Sequence, residues 1–231
     1  MKVTLIGFTT NAAEMLIFTK NTRLNMTPSG LSDIIEWSDE RKAKELQYIS
    51  NTIKSSWEFV DYTFMIEGVS RAFTHQFVRN RMGSYAQQTM RVLDVSGFDY
   101  VTGPTANVER YHETMGHINA EYKYLIEDGV KIEDARGILP TNICTNIAVK
   151  YNLRTLSDML ASRRSMRTQS EFRDVAAAME AEVLRVHPWA LMFLRDRKAD
   201  ALEEIERILI ESSPENEKID RMKLVDTIRN S

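Results

Sequence analysis

Residues 71–91 read RAFTHQFVRNRMGSYAQQTMR, with four arginines and no aspartate or glutamate. A solvated helix face usually mixes acids with its bases, so this segment needs a negative partner from elsewhere in the chain or from a ligand. Phosphate suits arginine best, because the planar guanidinium donates two parallel charge-assisted hydrogen bonds. The charge pattern alone also leaves open a solvated basic surface.

The backbone of this segment is expected to change character halfway along. Ser70 is a candidate N-cap for a helix over residues 70–78, with Phe73 and Phe77 on its apolar stripe. Gly83 breaks the helical pattern, so the polar groups that follow are expected on loop or extended backbone, where binding residues often lie. The pattern therefore predicts a binding site at the end of this helix.

Length and composition are typical of one globular domain. With 231 residues, 43% of them hydrophobic and 27% charged, the chain can bury one sizeable core, and we expect residues 1–231 to form a single domain. No apolar run approaches the roughly twenty residues that cross a bilayer, so no membrane segment is expected. The first residues lack a signal-peptide cleavage pattern, which predicts a cytoplasmic protein.

Cysteine, histidine and charge usage argue against several other classes. The single cysteine, Cys144, excludes an intramolecular disulfide, and without a Cys-His context a packing role is favoured over a nucleophilic one. The histidines lack zinc-site spacing, so no metal site is predicted. The net charge of −3 argues against a general nucleic-acid binder. No G-x-G-x-x-G or P-loop motif occurs, so a Rossmann-type nucleotide turn is not expected.

Hydrophobic periodicity mixes helices and strands along the chain, which indicates an α/β (α+β) fold class. Apolar side chains alternate at Val60, Tyr62, Phe64 and Ile66, which predicts a half-buried strand that Gly68 ends. The other expected strands are 2–8 and 143–151. The expected helices are 11–18 with Asn11 as cap, 38–53, 70–78, 106–127, 131–138, 152–163, 172–186, 199–210 and 219–228, and a loop is expected at 27–30.

A second basic cluster lies at Arg163, Arg164 and Arg167. Asn152 is a candidate cap for the preceding helix, whose apolar stripe would turn Arg154, Asp158 and Arg163 away from the core. These side chains are therefore candidates to face a ligand.

The two basic regions together resemble the flavin-dependent thymidylate synthases, whose signature reads R-H-R, two residues, Ser, and a polar run ending in Arg. The resemblance covers roughly residues 50–190 and departs from the family at Asn80, where the signature has histidine, and at Ile53 and Arg167. It implies the family fold, with a central, mostly antiparallel sheet flanked by helices. The matching residues are Gln76, Arg79, Arg81, Ser84, Gln87, Thr89 and Arg91, with flanking blocks at 62–64, 68–71, 135–136, 139–140 and 152–154, and with Arg163 and Gln169.

The resemblance also implies a reaction and an assembly. A one-carbon unit would pass from methylenetetrahydrofolate to C5 of dUMP, with hydride from FAD that NADPH has reduced, in a homotetramer whose sites combine subunits. Arg163 would be the catalytic residue that polarises the uracil ring. Substrate contacts are implied for Gln76, Arg79, Gln87, Gln88, Thr89, Met90, Arg91, Arg136 and Arg163. Flavin contacts are implied for Ser55, Arg79, Asn80, Arg81, Gln87, Asn152, Leu153, Arg154 and Asp158.

Two alternative functions stay open from the sequence. The replaced histidines leave room for a related flavoenzyme that modifies another uridine nucleotide or leaves a hydroxymethyl group on C5. The same arginines could also serve a non-catalytic nucleotide- or RNA-binding protein, although net acidity and the absence of interleaved aromatic residues argue against RNA.

Overall fold

The computed structural model describes residues 1–22, 26–103, 107–165 and 167–195, together with residues 205, 207, 208, 224 and 227. The chain divides into two compact units. Unit 1 comprises residues 1–4 and 64–149, and unit 2 comprises residues 5–63 and 150–231. Within the described part, no helix combines the length and apolar character needed to cross a membrane. The expectation of a single domain stays a prediction.

Four strands form one sheet in the order β1-β2-β4-β3. The strands are β1 (Lys2–Phe8), β2 (Asp61–Ser70), β3 (Ser84–Gln87) and β4 (Cys144–Asn152). In β2 the alternating apolar side chains are fully buried, as their period-2 spacing predicts. The predicted combination of helices with an antiparallel sheet is confirmed.

The expectation that Gly68 ends β2 is wrong, because the strand continues to Ser70. Gly68 has a φ of 65°, a left-handed backbone that glycine adopts without a Cβ clash. Its N–H donates to the side-chain oxygen of Asn146 at 3.0 Å, so the unusual conformation keeps a hydrogen-bond partner. A strand glycine here marks a local distortion and not a terminus.

The described residues of unit 1 form three helices besides its strands. They are α4 (Arg71–Phe77), α5 (Val108–Glu127) and α6 (Ile132–Ala135), and a 3₁₀ turn (Arg136–Ile138) follows α6. Met115 and Tyr122 are the buried residues of α5, and this helix packs against α6. The turn after α6 places Arg136 on the surface.

The described part of unit 2 is mainly helical. Its helices are α1 (Ala12–Lys20), α2 (Pro28–Ile35), α3 (Asp39–Ser50), α7 (Leu153–Arg163), α8 (Ser170–Val186) and α9 (Leu191–Leu194), with 3₁₀ turns at Lys54–Phe59 and Pro188–Ala190. The turn Lys54–Phe59, α8 and α9 all pack on α7. The predicted helices 199–210 and 219–228 lie almost entirely outside the described residues.

Two local expectations in unit 2 need correction. The predicted loop at 27–30 instead opens α2, because the Thr27 hydroxyl accepts the N–H of Gly30 at 3.4 Å and Pro28 occupies the first helical position. Asn11 does stand at the N-cap position of α1, but it has a φ of 50° and its side chain makes no capping hydrogen bond.

Candidate active site

The arginine-rich segment of unit 1 is anchored by the buried face of α4. The Ser70 hydroxyl accepts the N–H of Phe73 at 3.0 Å and caps the helix. Phe73 and Phe77 are buried and stack with ring centroids 4.9 Å apart. The chain leaves this fixed helix at its C-terminal end, directly before the first arginines of the signature.

Arg79 and Arg81 are exposed, and neither side chain makes a hydrogen bond or ion pair with another described residue. The turn that carries them is nevertheless fixed. The Tyr85 hydroxyl donates to the backbone carbonyls of Asn80 at 2.6 Å and Phe77 at 3.1 Å. The arrangement therefore presents two guanidinium groups from an ordered turn, with all five donors of each available to an anion.

The Gln87–Gln88 segment is held between α4 and β4. The side-chain amide of Gln87 donates to the Thr74 hydroxyl at 3.0 Å. Gln88 pairs with Asn146 twice, since its N–H donates to the Asn146 carbonyl at 2.9 Å and its side-chain oxygen accepts from the Asn146 amide at 2.9 Å. The backbone carbonyl of Gln88 accepts from Nη2 of Arg71 at 2.9 Å. This part of the predicted nucleotide-binding loop is thus largely committed to internal hydrogen bonds.

Arg91 and Arg136 come together around Glu133. Arg91 Nε lies 3.0 Å from a Glu133 carboxylate oxygen, and Arg136 Nε donates to the Glu133 backbone carbonyl at 3.1 Å. The Arg91 side chain is 69% exposed, so its ion pair is weak and easily exchanged for another anion. Thr89 accepts the Arg91 N–H at 3.1 Å, and Met90 beside it is half-buried.

Arg71 was named from the sequence only within the flanking block 68–71 and was not predicted to contact a ligand. It lies at the first position of α4, and burial followed by repulsion from Arg136 lowers the pKa of its guanidinium. The sequence offered one indication of a binding role, because Arg71 is the first arginine of a segment that contains no aspartate or glutamate.

Unit 2 brings a second group of predicted residues together where the turn Lys54–Phe59 packs on α7. Arg154 pairs with Glu58 at 2.6 Å, and Asp158 pairs with Lys54 at 2.8 Å. Ser55 is exposed in the same turn. All four charged side chains are close to half exposed, so these pairs can open for a ligand at little cost.

Asn152 and Leu153 have structural roles at the start of α7. The Asn152 side chain accepts the N–H of Thr155 at 2.8 Å, which confirms the predicted cap. Leu153 is fully buried, and its N–H donates to the Val60 carbonyl at 2.7 Å. Direct flavin contacts from these two side chains are therefore restricted by the bonds and packing that they already make.

Arg163 and Arg164 end α7 in different surroundings. The Arg163 guanidinium lies over the Phe172 ring, with its carbon 4.7 Å from the centroid, and makes no hydrogen bond or ion pair with a described residue. Arg164 donates to Glu180 at 3.2 Å and to the Leu194 carbonyl at 2.8 Å. Its side chain is only 14% exposed. The structure therefore separates an available arginine from a structural one.

The predicted site residues divide between the two units. Whether they form one site stays a prediction. Unit 1 carries Gln76, Arg79, Asn80, Arg81, Gln87, Gln88, Thr89, Met90, Arg91 and Arg136, and unit 2 carries Ser55, Asn152, Leu153, Arg154, Asp158 and Arg163.

The fold is that of a known nucleotide enzyme. The structure is similar to thymidylate synthase X of Helicobacter pylori, solved with FAD and dUMP, with a TM-score of 0.68 at 19% sequence identity. The match covers 85% of this chain and 100% of that one. At this identity the likeness defines the class of fold.

Sequence comparison then defines the family. The model described as thymidylate synthase complementing protein matches residues 4–189. A flavin-dependent thymidylate synthase of Nitratidesulfovibrio vulgaris is 37% identical over 172 residues, which are 67% of this chain and 68% of the relative. Another, from Clostridium tetani, is 31% identical over 212 residues, which are 81% of this chain and 84% of the relative. The chain belongs to the flavin-dependent thymidylate synthase family, and the predicted family and enzyme class are confirmed.

Proposed function

We propose that this chain makes dTMP from dUMP, with FAD as cofactor, methylenetetrahydrofolate as one-carbon donor and NADPH as the source of electrons for the flavin. Family membership supports the flavin and the reaction. The observation in this chain that carries the proposal is the ordered, acid-free turn bearing Arg79 and Arg81, whose guanidinium groups have no partner among the described residues. Arginines that have no carboxylate partner among the described residues and that extend from a hydrogen-bonded turn suit the binding of phosphate or pyrophosphate.

The phosphate-bearing parts of the ligands fit the donors of unit 1. The guanidinium groups of Arg79 and Arg81 have no partner among the described residues and can donate to a phosphate. Arg91 can exchange its exposed carboxylate partner for a phosphate oxygen. Arg136, beside the same carboxylate, adds positive charge. These residues would bind and orient the nucleotide and the flavin pyrophosphate, while bound FAD supplies the hydride chemistry.

Activation of the uracil ring falls to Arg163. Attack from C5 requires an electron-rich ring, and the sequence around Cys144, the chain's single cysteine, lacks the Cys-His context typical of a nucleophile. The Arg163 guanidinium is held over Phe172 with its donors uncommitted. It can therefore stabilise negative charge at N3 and the adjacent carbonyl oxygen of a bound uracil, which is electrostatic catalysis by a preorganised cation.

The flavin contacts of unit 2 would come from Ser55, Arg154 and Asp158. Their two ion pairs, to Glu58 and Lys54, lie at the surface and can rearrange around a ligand.

A homotetramer is part of the proposal. Ile53 and Met82 are each 73% exposed and Val92 is 68% exposed, and all three lie within or beside the predicted binding segments. Large exposed apolar side chains near a site are what subunit contacts would cover. Location in the cytoplasm stays a prediction.

The test is product analysis of the purified protein. Its absorbance spectrum should show bound flavin, and incubation with dUMP, methylenetetrahydrofolate and NADPH should give a nucleotide heavier by one CH₂ unit in mass spectrometry. A product heavier by CH₂O would assign the hydroxymethyl alternative. A colourless protein that binds nucleotide or RNA without turnover would overturn the enzymatic proposal.

A further inference from the structure

Arg71 buries a charged donor atom that has no hydrogen-bond partner, which is unfavourable for folding. One arm of its guanidinium donates to the Gln88 carbonyl at 2.9 Å, but its Nε is buried without a hydrogen-bond partner. A buried donor of a charged group that lacks a partner costs free energy. Such a cost is expected where the group serves binding, because native proteins satisfy nearly all buried polar atoms.

The surroundings of Arg71 add to this cost. No carboxylate of the described residues pairs with it, and Arg136 is close enough for the two positive charges to repel. Glu133 interacts with Arg91 through its carboxylate and with Arg136 through its backbone carbonyl. An anion bound beside these arginines would relieve the repulsion, and the relief would strengthen binding.

The bond from Arg71 differs from the others that hold the same loop. Thr74 and Asn146 tie Gln87 and Gln88 through neutral groups, which contribute modestly. Arg71 supplies the charge-assisted bond, directed at the backbone carbonyl. That bond orients the Gln88–Thr89 peptide, from which the chain continues to Arg91.

We propose that Arg71 is a positioning residue for the nucleotide, which fixes the backbone of residues 87–91 and adds positive charge beside Arg136 for the phosphate. This role rests on the proposed function. Arg71 would act through its bond to the Gln88 carbonyl and through its charge, without a direct hydrogen bond to the ligand. The proposal assigns Arg71 to nucleotide affinity and not to flavin retention.

The experiment uses the flavin-loaded protein with Arg71→Gln, Arg71→Lys and a matched control, Arg185→Gln. Arg185 lies on α8 and is 60% exposed in a surface pair with Glu182. Amide hydrogen exchange of peptides covering residues 84–91 is measured without nucleotide, and dUMP affinity is measured by calorimetry. We expect Arg71→Gln to speed exchange of these peptides and to weaken dUMP binding by about tenfold to a hundredfold, the range for a lost charge-assisted bond.

Arg71→Lys should give a smaller change in both measurements, because it keeps the charge but loses the planar fork. If the glutamine variant does not fold, the lysine variant decides, since faster exchange confined to residues 84–91 supports positioning. Unchanged exchange and affinity, or faster exchange spread evenly over the chain, would overturn the proposal. Failure of the unmodified protein to bind dUMP would instead refute the proposed function, and the exchange result would still decide whether Arg71 fixes the loop.

Discussion

Arg79 and Arg81 of unit 1 make no hydrogen bond or ion pair with a described residue, whereas Arg164 and Arg195 of unit 2 both reach Glu180. Glu180 is 6% exposed, and its two partners satisfy the carboxylate on both oxygens. A buried carboxylate gives its arginine partners a structural role, because breaking the ion pairs would leave the carboxylate charge unpaired and away from water. Without such an acid, an arginine keeps its donors for a ligand.

The same contrast appears between two neighbours at the end of α7. Arg163 lies over the face of an aromatic ring and has no hydrogen-bond or ion-pair partner among the described residues, whereas Arg164 bonds to a carboxylate and a backbone carbonyl. The two arginines are adjacent in the sequence, and successive side chains of a helix point in directions about 100° apart. Function and stability can therefore be assigned to adjacent residues of one type.

The largest effect should follow removal of the buried acid. Glu180→Gln would remove the buried carboxylate charge that Arg164 and Arg195 share, and we expect a loss of about 3 kcal/mol in the free energy of unfolding, at the low end of the range because Arg195 is half exposed. Urea unfolding followed by circular dichroism measures it. Glu40→Gln, which breaks an exposed pair with Lys44, is the matched control and should change stability by less than about 0.5 kcal/mol. Equal losses in the two variants would erase the contrast between the regions.

The next effect concerns chemistry. Arg163→Lys keeps the charge but loses the fork, so flavin should stay bound while nucleotide-dependent oxidation of the reduced flavin by folate slows by about tenfold to a thousandfold. Arg164→Lys should leave this rate near that of the unmodified protein and instead lower stability by about 1 kcal/mol, because lysine cannot reproduce the guanidinium bonds to Glu180 and to the Leu194 carbonyl together. Stopped-flow reoxidation, with flavin content checked first, compares the two. Equal rates would remove Arg163 as the activating residue.

A third variant tests whether the free arginines of unit 1 bind the ligand. Arg79→Gln should weaken dUMP binding by about tenfold, the cost of a charge-assisted pair, without lowering the melting temperature, since the side chain has no described partner. Calorimetry and thermal melting measure the two quantities. Arg110→Gln, an exposed arginine on α5, serves as control. A lower melting temperature with unchanged affinity would make Arg79 structural.

The smallest effect is expected from removing the acidic partner of an exposed arginine in unit 1. Glu133→Gln frees Arg91 from an exposed ion pair worth less than about 1 kcal/mol, so dUMP affinity should rise by about twofold to fivefold. The gain should vanish in the background of Arg91→Gln, where the freed group is absent. A gain that persists in this double variant would show that Glu133 acts on another arginine.

Local patterns predicted most elements of the described chain. The alternation in β2, the caps at Ser70 and Asn152 and the stripes of α7 and α8 are short-range signals, and each was confirmed. The start of α2 was missed although Thr27 and Pro28 carry a recognised helix-start signature. Gly68 was misread because a glycine with positive φ either ends a strand or distorts it, and its neighbours in space decide which.

The sequence by itself determined the family, the enzyme class and the basic segments that carry the expected chemistry, because these depend on residue identity and spacing along the chain. Only the tertiary structure decided which arginines are available. It paired Arg164 with Glu180, left Arg163 on an aromatic face, and buried Nε of Arg71 while its other arm holds the loop. The physical reason is that an ion pair and a desolvated charge depend on distances between residues far apart in the chain, which the order of residues does not fix.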